Sequence, residues 1–181
     1  ESMTPQSDSI GYNSVSKLMH WMIALLAFSQ LAMGKLFDLD PKESPALFGW
    51  HTTLGLTVLV LTAARIAWRL THDMPALPIG VPAWQRKIAK VNHLAFYALL
   101  VALPFSGWLL ASASGDSVRL FGLLPVPALL MPSGEATEAL LEEVHELLGN
   151  ALLVLAGVHV LAGLKHHFID RDNVLRRMLP G

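Results

Sequence analysis

The sequence predicts an all-α integral membrane protein, a four-helix bundle with both termini on the cytoplasmic side. Three observations predict it. Only 15% of the 181 residues are charged, where a soluble domain carries about 25%. Four stretches, 18–34, 44–64, 91–115 and 147–164, are nearly free of Asp, Glu, Lys and Arg, and with tilt each supplies the roughly 20 residues that cross a hydrocarbon core. The basic residues are unevenly shared among the connections, and short loops rich in Lys and Arg stay in the cytoplasm.

Taken in order, the polar stretch 1–13 reads as a disordered tail, with Glu1-Ser2 ahead of Met3 as vector-derived residues. A single transmembrane domain occupies 14–181, with spans near 16–36, 47–70, 91–113 and 143–167. The first apolar run ends in Gly34-Lys35 without a small-residue cleavage pattern, so it reads as a retained anchor and not a signal peptide. The first connection, with Lys35 and Lys42 against Asp38, Asp40 and Glu43, belongs outside. The second carries Arg65, Arg69, Arg86, Lys87 and Lys90 against Asp73, and belongs inside with the tail bearing Lys165, Arg171, Arg176 and Arg177. Its segment Met74-Pro75-Ala76-Leu77-Pro78-Ile79-Gly80-Val81-Pro82 is too broken for a helix. Pro104 is expected to kink the third span. The third connection has Arg119 against Asp116, Glu135, Glu138, Glu142, Glu143 and Glu146 and belongs outside; its proline-rich apolar part, Phe121 through Pro132, reads as a lid on the membrane surface or over the bundle mouth.

The chemistry lies in the histidines. His145 and His159 stand fourteen residues apart, nearly four turns, so both point from one helix face about 21 Å apart along the axis. Ionisable residues inside a membrane are costly and mark function. By depth His20, His93 and His159 lie towards the inner side, His51 and His145 towards the outer. Antiparallel packing can pair His20 with His159 and His51 with His145, although spacing alone leaves His93 an equal partner for His159. Gly55, Gly149 and Gly163 follow His51, His145 and His159 at i+4, on the same face, and clear room beside each ring for a flat macrocycle. His20 has Ala24 there. Gly107 and Gly157 read as helix-packing glycines, and His72 as solvated. The Trp residues read in part as the aromatic belt.

Two imidazoles fill both axial positions of a haem iron and leave no site for O2, which suits one-electron transfer. The chain has no cysteine, which excludes disulfides, Cys-ligated clusters and covalent c-type haem. No basic stripe with interleaved aromatics points to nucleic acid. His93, His166, Arg65 and Arg69, at the inner end, are candidates for contacts to a quinone or to haem propionates.

The chain resembles the prokaryotic cytochrome b561 family, related in plan to the b-type membrane subunits of formate dehydrogenase and nickel–iron hydrogenase. The resemblance rests on His20-Trp21, Trp50-His51-Thr52-Thr53-Leu54-Gly55, Asn92-His93-Leu94-Ala95-Phe96-Tyr97, His145-Glu146-Leu147-Leu148-Gly149-Asn150, Gly157-Val158-His159 and Leu164-Lys165-His166-His167-Phe168-Ile169-Asp170-Arg171-Asp172-Asn173. It implies a multi-pass protein of a bacterial inner membrane with two haem b groups, ligated by His20 with His159 and by His51 with His145. It implies electron transfer between a periplasmic redox protein and the quinone pool, with ubiquinone exchanging near one haem. One branch of the family is similar to superoxide:ubiquinone oxidoreductases, an alternative against which the acidic outer loops weigh. A metal-ion transporter built on the same histidines is the reading from another class; the apolar interval 151–158 breaks the polar path it needs.

Overall fold

The computed structural model describes residues 11–39, 45–72, 75 and 82–179. Four helices are each long and apolar enough to cross a membrane: α1 (Ser14–Leu39), α2 (Pro45–Thr71), α3 (Ala83–Ala113) and α4 (Glu135–Lys165). Lys42, Asp40 and Glu43 of the first connection, and most of the proline-rich loop from Asp73 to Val81, lie outside the described residues.

Local chemistry sets the helix ends. Asn13, which the sequence assigns to the tail, is the N-cap of α1: its Oδ1 accepts from Ser16 N at 2.8 Å, and its backbone oxygen from Lys17 N. Pro45 opens α2, where its missing N–H costs nothing. α3 runs unbroken through Pro104 and stops at Ala113. There Gly115 at φ 78° lets Gly115 N reach Ser112 O and Asp116 N reach Ala111 O, the Schellman closure. α4 starts at Glu135, so the acidic segment 135–146 is one helix with the fourth span, and Glu135 and Glu138 face its N-terminal dipole.

The helices pack in chain order, α1 on α2, α2 on α3 and α3 on α4, while α1 and α4 meet only briefly. Ile23, Val58, Leu100 and Leu152, one from each helix, form the buried centre. Leu25, Val60, Leu94, Val154 and Leu161 point outward uncovered, the apolar exterior expected of a lipid-facing surface.

The third connection departs from an all-helical expectation. Arg119–Leu120 (β1) and Leu124–Pro125 (β2) pair antiparallel, Arg119 opposite Pro125. The turn needs Phe121 at φ 52° and Gly122 at φ 71°. Phe121 tolerates this because its N–H is held by Thr53 Oγ1 at 3.1 Å, and the same hydroxyl donates to Arg119 O at 3.2 Å. Trp108 Nε1 donates to Pro127 O, and Leu129 N to Ser112 Oγ. The lid therefore lies across the ends of α2 and α3, tied by hydrogen bonds, with Phe121 and Leu123 uncovered.

After Lys165 the helix widens into a π-turn, His166–Asp170, and Arg171 at φ 53° reverses the chain. The tail then returns under α1, where Trp21 Nε1 donates to Met178 O at 2.8 Å and Tyr12 N to Arg177 O.

Candidate haem-binding site

Two imidazole pairs stand in the bundle. His20 of α1 and His159 of α4 have ring centres 6.3 Å apart; His51 of α2 and His145 of α4 are 6.1 Å apart. An iron bound to one nitrogen of each ring would sit about 2 Å from both, and a ring centre lies about 1.1 Å behind its nitrogen, so one iron held by two rings would call for about 6.2 Å between centres. Both pairs meet that spacing, and the residues fit a haem iron. His93 lines a small cavity with Arg65, Arg69 and Tyr97.

The second nitrogen of each α4 histidine is engaged from α3. Ser106 Oγ donates its one hydrogen to Leu103 O at 2.8 Å, so it accepts from His145 Nδ1, 2.9 Å away. That fixes the tautomer and leaves the Nε2 lone pair for a metal. Asn92 Nδ2 stands 3.2 Å from His159 Nδ1; with the amide rotated to present its oxygen instead, His159 would be held the same way. Phe96 stands edge-on to His159 at 5.1 Å. On the other side Gln30 Nε2 donates to the backbone oxygen of His51 at 2.9 Å, tying α1 to α2 beside the second pair.

The glycines divide differently from the expectation. A Cβ at Gly107 would lie 2.9 Å from His145 Cε1 and 3.3 Å from Nδ1, so Gly107, read from sequence as a packing glycine, is what lets the His145 ring lie against α3. A Cβ at Gly149 meets nothing within 4 Å, while at Gly55 it meets Gln30 Nε2 at 3.9 Å and at Gly163 Leu175 Cδ1 at 3.8 Å. The protein itself does not forbid a methyl at these three. His72 is exposed, and its ring stacks on Trp68 with centres 3.6 Å apart. His166 turns Nδ1 to Asp172 at 2.6 Å, and Lys165 pairs with Asp170.

Sequence reasoning missed Ser106 and Gln30 and took Asn92 only as a neighbour of His93. The available signal was that Asn92 and Ser106 are polar residues inside an apolar span, fourteen apart, the same interval as His159 and His145.

The chain matches the family model for prokaryotic cytochrome b561 over residues 11–181. It is 31% identical over 174 residues to cytochrome b561 homolog 2 of Escherichia coli strain K12, covering 93% of this chain and 90% of that protein. It is 30% identical over 174 residues to the probable superoxide oxidase CybB of Yersinia pestis, covering 93% and 96%. It is 27% identical over 176 residues to a cytochrome b562 of Cereibacter sphaeroides, covering 93% and 95%. With four membrane-length helices around paired imidazoles, the chain belongs to the prokaryotic cytochrome b561 family: a haem b electron-transfer protein passing several times through the bacterial inner membrane.

Proposed function

We propose that the chain holds two haem b groups, one ligated by His20 and His159 and one by His51 and His145, and carries electrons across the membrane between a periplasmic redox protein and the quinone pool. The ring separations of 6.3 and 6.1 Å carry this reading. Gly149 supports it, because a Cβ there meets nothing within 4 Å and the open side suits a flat ring; at Gly55 and Gly163 the neighbours a Cβ would meet are the side-chain ends of Gln30 and Leu175, at ordinary contact distance. Haem supplies one-electron chemistry when bound; the protein fixes depth, tautomer and orientation. The positive-inside distribution favours an orientation with the His20–His159 pair and both termini at the cytoplasmic side. There His93, His166, Arg65 and Arg69 are the residues for contacts to a quinone or a propionate.

A pyridine haemochrome assay with a reduced-minus-oxidised spectrum of the purified protein tests it. The expected result is two haem b per chain, with His51→Ala or His145→Ala losing one and retaining the other. No haem in folded, haem-supplied protein, or equal loss of both from either variant, overturns it.

The relative named as a probable superoxide oxidase favours a second reading, oxidation of superoxide at the outer face with reduction of ubiquinone. It requires fast haem reduction by superoxide and quinone-dependent turnover with no further protein; an electron-transfer subunit is inert until its periplasmic partner is added.

A further inference from the structure

Arg65 stands on α2 fourteen residues after His51, as His159 stands on α4 fourteen residues after His145. Both helices run in the same direction, so Arg65 lies on the face of α2 that carries a candidate ligand, about 21 Å further along and at the depth of the His20–His159 pair. Its guanidinium interacts electrostatically with His20 and His93. Its Nη1 donates to Ser16 O at 3.3 Å, one turn below His20, and its Nε to Tyr97 Oη at 3.4 Å. Arg69 follows one turn later with Cζ 5.8 Å from the centre of the same Tyr97 ring.

Two cations at i and i+4 repel by a few tenths of a kcal/mol in an isolated helix. No carboxylate lines the cavity that Arg65, Arg69, Trp68, His93 and Tyr97 share, among the described residues. The indole N–H of Trp68 is also buried at this cavity with no acceptor among the described residues. A buried donor left unmade costs about 1–3 kcal/mol, and two guanidiniums, an indole N–H and a phenol together call for an acceptor that carries charge.

We propose that Arg65, Arg69, Trp68 Nε1 and Tyr97 Oη form a seat for an oxyanion, a carboxylate or phosphate group. The inner haem's propionate is one source, and that source rests on the ligation by His20 and His159 proposed above; the phosphate of an anionic lipid in the inner leaflet is the other. A neutral quinone carbonyl needs one donor and an apolar slot for its ring, and does not answer two guanidiniums.

The test uses the full chain with its haems, in nanodiscs of phosphatidylcholine alone and of phosphatidylcholine with phosphatidylglycerol. Redox titration of each haem, with His51→Ala to identify the inner one, compares wild type with Arg65→Gln and Arg65→Lys. A propionate seat predicts a lower midpoint for the inner haem alone in Arg65→Gln, in both lipids, because removing a cation favours the ferric form; Arg65→Lys restores most of it. Trp68→Phe, which keeps every charge, then displaces the carboxylate band of haem labelled with 13C at its propionates in the redox-difference infrared spectrum. A phosphate seat predicts an unmoved propionate band in Trp68→Phe, and loss of retained phosphatidylglycerol by native mass spectrometry in Arg65→Gln and Arg69→Gln. Unchanged potentials, infrared band and lipid retention overturn the seat, as does a change confined to the KM for quinone. Persistence of the inner haem in His159→Ala overturns the ligand assignment and the propionate source with it, and the mass spectra still decide the seat.

Discussion

Replacing Gly107 by alanine adds one methyl against the ring of His145. The added carbon falls 2.9 Å from Cε1, while carbon pairs rest at about 3.5–4.0 Å, so the imidazole retreats by roughly 0.6–1 Å. Metal–ligand distances tolerate about 0.2 Å. The movement also pulls Nδ1 from Ser106 Oγ, now 2.9 Å away. Overpacking of this kind costs about 1–3 kcal/mol, which corresponds to roughly 5- to 150-fold weaker haem binding at this pair. The assay is haem transfer from the purified variant to excess apomyoglobin, with the haem-to-chain ratio followed over time. Gly49→Ala is the control, since its Cβ meets nothing within 4 Å. Gly107→Ala should lose one haem quickly, the one absent from His51→Ala, and keep the other at the wild-type rate. Wild-type retention of both, or loss of the haem at His20 and His159, refutes the argument.

Ser106→Ala removes the partner of His145 Nδ1, and loss of such a partner typically weakens metal binding about 10- to 100-fold; the same transfer assay should show it for the outer haem alone. Asn92→Leu should have the corresponding effect on the His159 haem alone, and a crossed effect contradicts the pairing of α3 with α4. Thr53→Val leaves Phe121 N and Arg119 O without their shared hydroxyl, a cost of about 1–3 kcal/mol. Hydrogen exchange should then rise across 118–126 and stay unchanged in the helices; unaltered protection of that segment contradicts the tether.

The four spans were legible because hydropathy and length act within one segment. The axial separations of the histidines were legible too, since 1.5 Å per residue converts sequence separation into distance along a helix. That arithmetic could not choose between His20 and His93 beside His159, because azimuth between helices is a tertiary property. Ser106, Gly107 and Asn92 escaped for the same reason: each acts on a ring carried by α4 while itself belonging to α3, and nothing local marks which face of α3 meets which face of α4. The hairpin escaped because two-residue strands have no period to detect, and its positive-φ Phe121 is held by a hydroxyl sixty-eight residues earlier in the chain. Asn13 was hidden by the polar residues before it, though Asn three residues ahead of Ser16 is a recognisable cap.

The first and last helices of the row barely touch, which bears on how such a protein is made. Three seams are sealed by side-chain packing as soon as neighbouring helices meet. The fourth runs between α1 and α4 and brings His20 and His159 to face each other across it. A bundle joined along this edge chiefly by the tail's hydrogen bonds to Trp21 and Tyr12 would admit a flat, greasy disc sideways out of the lipid, with no helix withdrawn and no loop threaded. Under the proposed ligation by His20 and His159, such a disc would join the first helix to the last along the seam that helix packing leaves thin.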